Sequence, residues 1–164
     1  MAGTRPALPD ATNDSFLQEA LNEANAYRAK HHAPPLTMDP ALVEYAKSRA
    51  ASRSEYEADD MSHEGLRTGT GENLFWGAGT GTTPYTAAAA VTDWYNEISG
   101  YDWNNPPGTN MTGHFSQLVW KGTTRVGAAR VAGQGAKWFE TVIVFVFESP
   151  GNYANQYKDN VLPA

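Results

Sequence analysis

Apolar positions recur at helical spacing in the first half of this chain and crowd into short runs in the second. Leu17, Ala20, Leu21, Ala24 and Tyr27 fall three or four residues apart, which predicts one helix with a single buried face. Ser15 opens it, with Gln18 three residues on in the capping-box arrangement; His31, His32, Pro34 and Pro35 are expected to end it in solvent. A second helix is predicted from Asp39-Pro40, an N-cap followed by proline at the first helical position, with Leu42, Val43, Ala46 and Ala50 as its stripe. Residues 65–83 are dense in glycine and read as loop, interrupted by Leu74-Phe75-Trp76. A third helix is predicted over about 84–99, with Gly100 as its stop. Strands follow around 115–120, 125–131 and 137–148, with Gly122 and the Gly133 and Gly135 pair at the turns. Within the last strand, residues 141–147 read Thr-Val-Ile-Val-Phe-Val-Phe, as expected of a central strand covered on both faces. Helices first and strands last predict an antiparallel sheet between helical layers. Residues 1–13, rich in Pro, Thr and Ala, are expected to form a flexible segment, and residues 14–164 a single domain.

Composition narrows the function classes. A net charge of −6 over 164 residues disfavours nucleic acid, which needs clustered Lys and Arg against phosphates. No segment stays apolar for the roughly 18 residues a membrane span requires, so no transmembrane segment is expected. The first 14 residues lack the apolar stretch of a signal peptide. The chain has no cysteine, which removes disulfides, thiolate metal sites and a thiol nucleophile together.

The most distinctive segment is Gly113-His114-Phe115-Ser116-Gln117-Leu118-Val119-Trp120, which places a titratable group at the entrance of a predicted strand. Together with Gly71-Glu72-Asn73-Leu74, Trp94-Tyr95-Asn96-Glu97-Ile98 and the tail Asn160-Val161-Leu162-Pro163, it resembles the CAP superfamily: the cysteine-rich secretory, antigen 5 and pathogenesis-related 1 proteins. The likeness runs in order from about Ser15 to the end. It implies a three-layer α-β-α sandwich with a mainly antiparallel central sheet, and a secreted protein whose leader has been removed. Most secreted members are cross-linked, so the missing cysteines are a departure, pointing to a fungal relative over a plant one.

The resemblance also implies a polar cavity built from His63, Glu72, Glu97 and His114. Here His63 sits in Ser62-His63-Glu64, where the family's usual His-Ser pair has become His-Glu. Two neutral imidazoles can bind a divalent metal, zinc or magnesium, while carboxylates either ligate or accept the second ring N–H. The alternative is a buried hydrogen-bond network that pins loops to the sheet without metal. Neither a Gly-x-Ser-x-Gly elbow nor a His-Glu-x-x-His helix occurs, and Ser116, two residues from His114 on a predicted strand, lacks an evident base.

After the third predicted helix comes Tyr101-Asp102-Trp103-Asn104-Asn105-Pro106-Pro107-Gly108. Two large aromatics in a loop of Pro, Asn and Gly are expected to stay at least partly exposed, where they can grip a flat apolar ligand. The segment resembles a loop of fungal CAP proteins that is implicated in sterol binding. The functional expectation is therefore a secreted lipid-binding protein that sequesters or exports sterols through this loop, with a His/Glu divalent-metal cavity beside it. The alternative is a metal-dependent hydrolase, a protease or esterase, that uses the cavity.

Overall fold

In the computed structural model, which describes residues 3–164, the apolar run near the C-terminus is the axis of the architecture. It forms β4 (Phe139–Glu148) in a sheet of order β1-β3-β4-β2, with β1 at Thr37–Met38, β2 at Gly71–Gly79 and β3 at Arg125–Gln134. Strand β4 pairs antiparallel with both β2 and β3, whereas the two-residue β1 runs parallel to β3, so the sheet is mixed. Successive residues of β4 face opposite sides. Val142, Val144 and Val146 pack with Leu42, Ala46 and Ala50 of α2 (Pro40–Ser54). Ile143, Phe145 and Phe147 pack with α1 (Asp14–Lys30), α3 (Ala87–Tyr95) and α4 (Gly113–Leu118). That is the α-β-α sandwich, and it explains why β4 carries no polar alternation. A last short helix, α5 (Tyr157–Asn160), precedes the tail.

Helix α2 begins as expected, with the Asp39 carboxylate accepting from the N–H groups of Ala41 and Leu42. Helix α1 is capped by Asn13, not by Ser15: its side chain accepts the Phe16 N–H at 2.8 Å. The third helix is shorter than expected, because α3 gives way to a 3-10 turn over Asn96–Gly100.

Two segments differ in kind from their sequence reading. The glycine-rich stretch contains β2, because its glycines serve close packing as well as turns: a Cβ on Gly71 would lie 2.2 Å from Gln117 Oε1, and one on Gly77 2.6 Å from the Tyr85 ring. The predicted strand at 115–120 is instead helix α4 and its C-terminal turn, with Phe115, Leu118 and Val119 all buried. A short apolar run does not by itself separate strand from helix.

Residues 3–13, expected to be flexible, lie against the α2 side of the sheet. Arg5 forks the Glu140 carboxylate at 2.9 and 2.8 Å, Leu8 is buried in that core, and the Ala11 and Ala132 N–H groups bond Arg130 O and Pro9 O. Residues 1 and 2, covered by the same expectation, lie outside the described residues.

The end of α1 is also not the solvent-facing pair that was expected. His31 is 1% exposed: its Nδ1–H donates to Leu162 O at 2.7 Å, which leaves Nε2 to accept the Tyr95 hydroxyl at 2.8 Å. His32, at φ 60°, turns the chain away immediately afterwards. One turn earlier the fully buried Arg28 donates to the carbonyls of Pro34, Leu118, Trp120 and Thr123, tying α1 to the end of α4. Burial lowers its pKa to about 10, so it stays charged at neutral pH.

Candidate functional site

Strand β2 and the turns around α3 and α4 bring His63, Glu72, Glu97 and His114 to one cavity of about 260 Å³, completed by Asn73, Met111, Gly113 and Asn152. Each histidine pairs with one carboxylate. His63 donates from Nδ1 to Glu72 Oε1 at 2.8 Å, and His114 from Nδ1 to Glu97 Oε2 at 2.7 Å. Because a carboxylate only accepts, both rings carry their proton on Nδ1 and present the Nε2 lone pair.

Glu72 extends from β2 with its side chain fully buried. Arg49 of α2 forks it from Nε and Nη2 at 2.6 and 2.8 Å. Burial alone would raise the carboxyl's pKa, but hydrogen bonds from His63 and Arg49, together with the Arg49 charge, bring it below the usual carboxylate value. The same bond raises the Arg49 pKa.

Glu97 sits in the 3-10 turn after α3 and is held by backbone. Its Oε1 accepts the N–H groups of His114 and Phe115, both at 3.0 Å, so this one side chain caps α4 and orients the imidazole at its start. The residue before the helix, Thr112, makes no side-chain cap. Asn73 joins the halves by donating to His114 O at 3.1 Å, and the Trp94 ring lies 6.1 Å from the imidazole.

Both carboxylates are engaged here as orienters of the rings, and Glu72 has the Arg49 fork besides. A divalent cation would meet two imidazole nitrogens and take the rest of its shell from water. Among the described residues no group of three or more His, Cys, Asp or Glu side chains could hold a metal ion. The donors the cavity offers are two imidazoles, each with a carboxylate bonded behind it.

Ser116 offers no nucleophile. It is fully buried on α4, and its hydroxyl is taken up by Thr112 O, Gly113 O and Asn152 Oδ1. Glu64 is exposed, and only its backbone is engaged, the carbonyl accepting from Arg49 at 2.7 Å.

The aromatic loop separates into a root and a tip. Tyr101, expected at least partly in solvent, is 6% exposed, with its ring edge-on to Phe115 at 5.4 Å and to Trp103 at 4.7 Å. Its ring belongs to the core cluster that includes Phe115 and Leu118, so apolar packing outweighs its polar sequence neighbours. Burial pushes its phenol up to about 12, and among the described residues its hydroxyl has no hydrogen-bond partner. Trp103 is 37% exposed and stands parallel to the His31 ring at 6.3 Å. Asp102 braces the turn: its carboxylate accepts from the N–H groups of Asn104 and Asn105, and its own N–H donates to Pro107 O. Gly108, at φ 88°, closes it where a Cβ would meet Asp102 at 2.7 Å. Asn105 and Pro106 line a groove of about 250 Å³ against Asn155, Tyr157 and Lys158.

Arg49, Arg53 and Asn73 were not singled out from sequence, and His31 was read only as a solvent-facing helix end. Asn73 lay inside a quoted motif, and the arginines are visible as two charges one turn apart along the apolar stripe of α2.

Residues 21–148 match the CAP family, the cysteine-rich secretory protein family. The chain is similar to Repressed by EFG1 protein 1 of Candida albicans, 36% identical over 156 residues, covering 90% of this chain and 54% of that protein. It is similar to Protein PRY2 of Saccharomyces cerevisiae, 36% identical over 150 residues, covering 90% of this chain and 41% of that protein. It thus spans about half the length of these two relatives. Among solved structures, BmVAL-1 superposes with a TM-score of 0.66 at 16% identity, over 87% of this chain and 81% of that one, a likeness of fold.

Proposed function

Because the chain belongs to the CAP family, we propose that it is a secreted lipid-binding domain that takes a sterol against the loop 101–108, with a divalent cation, zinc or magnesium, held beside it at His63 and His114. The observation that carries the lipid reading is the exposed indole of Trp103, mounted on the buried rings of Tyr101 and Phe115. A flat apolar face on a braced turn loses little freedom when a ligand covers it. The loop's likeness to the sterol-implicated loop of fungal members supports the same ligand. A sterol of roughly 28 heavy atoms at about −0.3 kcal/mol each gains about −8 kcal/mol, which corresponds to micromolar affinity. No catalytic group is needed. Among the described residues no helix is long and apolar enough to cross a membrane.

The test is a titration of labelled sterol against the wild type, Trp103→Ala and Tyr101→Phe. Saturable micromolar binding is expected in the wild type and in Tyr101→Phe, with loss in Trp103→Ala. Tyr101→Ala is unsuitable, since it would open a cavity in the core. Equal affinity in Trp103→Ala would sink the assignment.

A second reading, a metal-dependent protease or esterase, draws on the two imidazoles that line an open cavity, each bonded to a carboxylate through Nδ1. A bound cation would supply Lewis acidity there. The residues themselves would hold it and keep both rings in one tautomer. This reading requires turnover that disappears on chelation and in His114→Ala.

A further inference from the structure

The two histidines of the cavity are anchored very differently. His114 belongs to α4, whereas His63 lies between a 3-10 turn at Ala58–Asp60 and β2, in a stretch with neither helix nor strand. Its side chain is 54% exposed. No backbone ladder fixes such a residue, and an unheld imidazole would lose both rotamer and loop freedom on binding a ligand.

Two arginines of α2 hold this stretch on either side of His63. Arg53 donates from Nη1 to Ser62 O at 2.9 Å, and Arg49 from Nη1 to Glu64 O at 2.7 Å. The rest of the Arg49 guanidinium forks Glu72, whose Oε1 receives the His63 Nδ1–H. The carbonyl before His63, the carbonyl after it and the ring itself therefore all lead back to one helix. Positions four apart lie on one face of that helix, which lets both side chains reach the same stretch. Arg49 is 5% exposed and Arg53 6%, and neither lines the cavity. Burying a cation to hold a surface loop is costly unless its bonds are satisfied, and the Arg49 fork and carbonyl bond use all three of its nitrogens.

We infer that Arg49 and Arg53 are positioning residues, which set the affinity of the cavity for a divalent cation by holding His63 in place in the cavity it shares with His114. The inference rests on the cation reading. It predicts that lysine does not substitute for arginine at either position, since an ammonium is a point charge without the planar fork. Arg49→Lys keeps a positive charge beside Glu72 while losing the fork and the bond to Glu64.

The experiment is calorimetric titration of metal-free protein with zinc, comparing the wild type, Arg49→Lys, Arg53→Lys and a control, Arg130→Lys on β3. Loss of an outer partner weakens metal affinity by about 10–100-fold, which is the range expected for Arg49→Lys. A smaller loss is expected for Arg53→Lys and none for Arg130→Lys, all with unchanged circular dichroism. Equal affinity in all four proteins overturns the inference. A second arm reads the ring nitrogens of His63 by NMR without metal, at pH about 8 where imidazole is neutral. A single Nδ1–H tautomer is expected in the wild type and a mixture in Arg49→Lys. If the wild type binds no zinc, the cation reading falls and this arm decides: an unchanged His63 spectrum in both variants overturns the positioning role. Should Arg49→Lys fail to fold, Arg53→Lys, which leaves the buried pair intact, carries both arms.

Discussion

The two His–Glu pairs of the cavity look alike from inside it and are built on opposite principles. Glu72 is a buried carboxylate on a central-sheet strand, neutralised by a permanent charge from another layer. Glu97 is 23% exposed on a short turn, and among the described residues no Lys or Arg pairs with it; backbone N–H groups at the start of α4 hold it. The first pair depends on long-range packing between α2 and β2, the second on the local geometry of two adjoining turns. One imidazole orientation can thus be reached either by a salt bridge across layers or by a helix terminus.

Breaking the first pair should have the larger effect. Glu72→Ala leaves the Arg49 guanidinium buried without its carboxylate, and a loss of about 3–5 kcal/mol in chemical denaturation is expected. Glu97→Ala removes a cap, with an expected loss of about 0.5–2 kcal/mol. Its local signature is faster hydrogen exchange at the His114 and Phe115 amides. Equal losses for the two variants would mean that the pairs are not built differently.

Acid sharpens the comparison. The folded pKa of Glu72 lies below its ordinary 4.5, so its contribution is complete above that value and is lost as pH falls through the folded one. His31 acts earlier. Burial is the main cause lowering its pKa, opposed by the bond to Leu162, with the charges of His32 and Lys30 adding to the lowering. The unfolded chain therefore binds the proton first, and stability should begin to fall below about pH 6.5. His31→Gln should flatten that upper part of the pH–stability curve, measured by thermal melts, while leaving the lower, carboxylate part in place.

Much of the fold could be read directly. The unbroken apolar run of β4 announced a strand covered on both sides, and Asp39-Pro40 announced the start of α2. What could not be read was decided by distant partners. Gly71 and Gly77 signal loop until Gln117 and Tyr85 are known to lie against them. The run at 115–120 signals strand until Glu97, far back in the chain, is seen capping it as a helix. The four site residues came from the family resemblance, and no periodicity would have gathered them. Tyr101 was judged by its polar neighbours in sequence, whereas its ring packs edge-on to Phe115 in the core. His31 was judged with His32, although the backbone sends the two in different directions.

Arg28 bears on the order in which this molecule comes apart. Among the described residues no carboxylate pairs with it; four carbonyls hold its charge. Carbonyls do not titrate, so acid has no handle on the joint between α1 and the end of α4. Protonation instead reaches the bond between His31 Nε2 and the Tyr95 hydroxyl and, at lower pH, the cavity through Glu72. Mild acid should therefore loosen the contact between α1 and Tyr95 first, with the cavity slackening only in stronger acid, around an intact hinge.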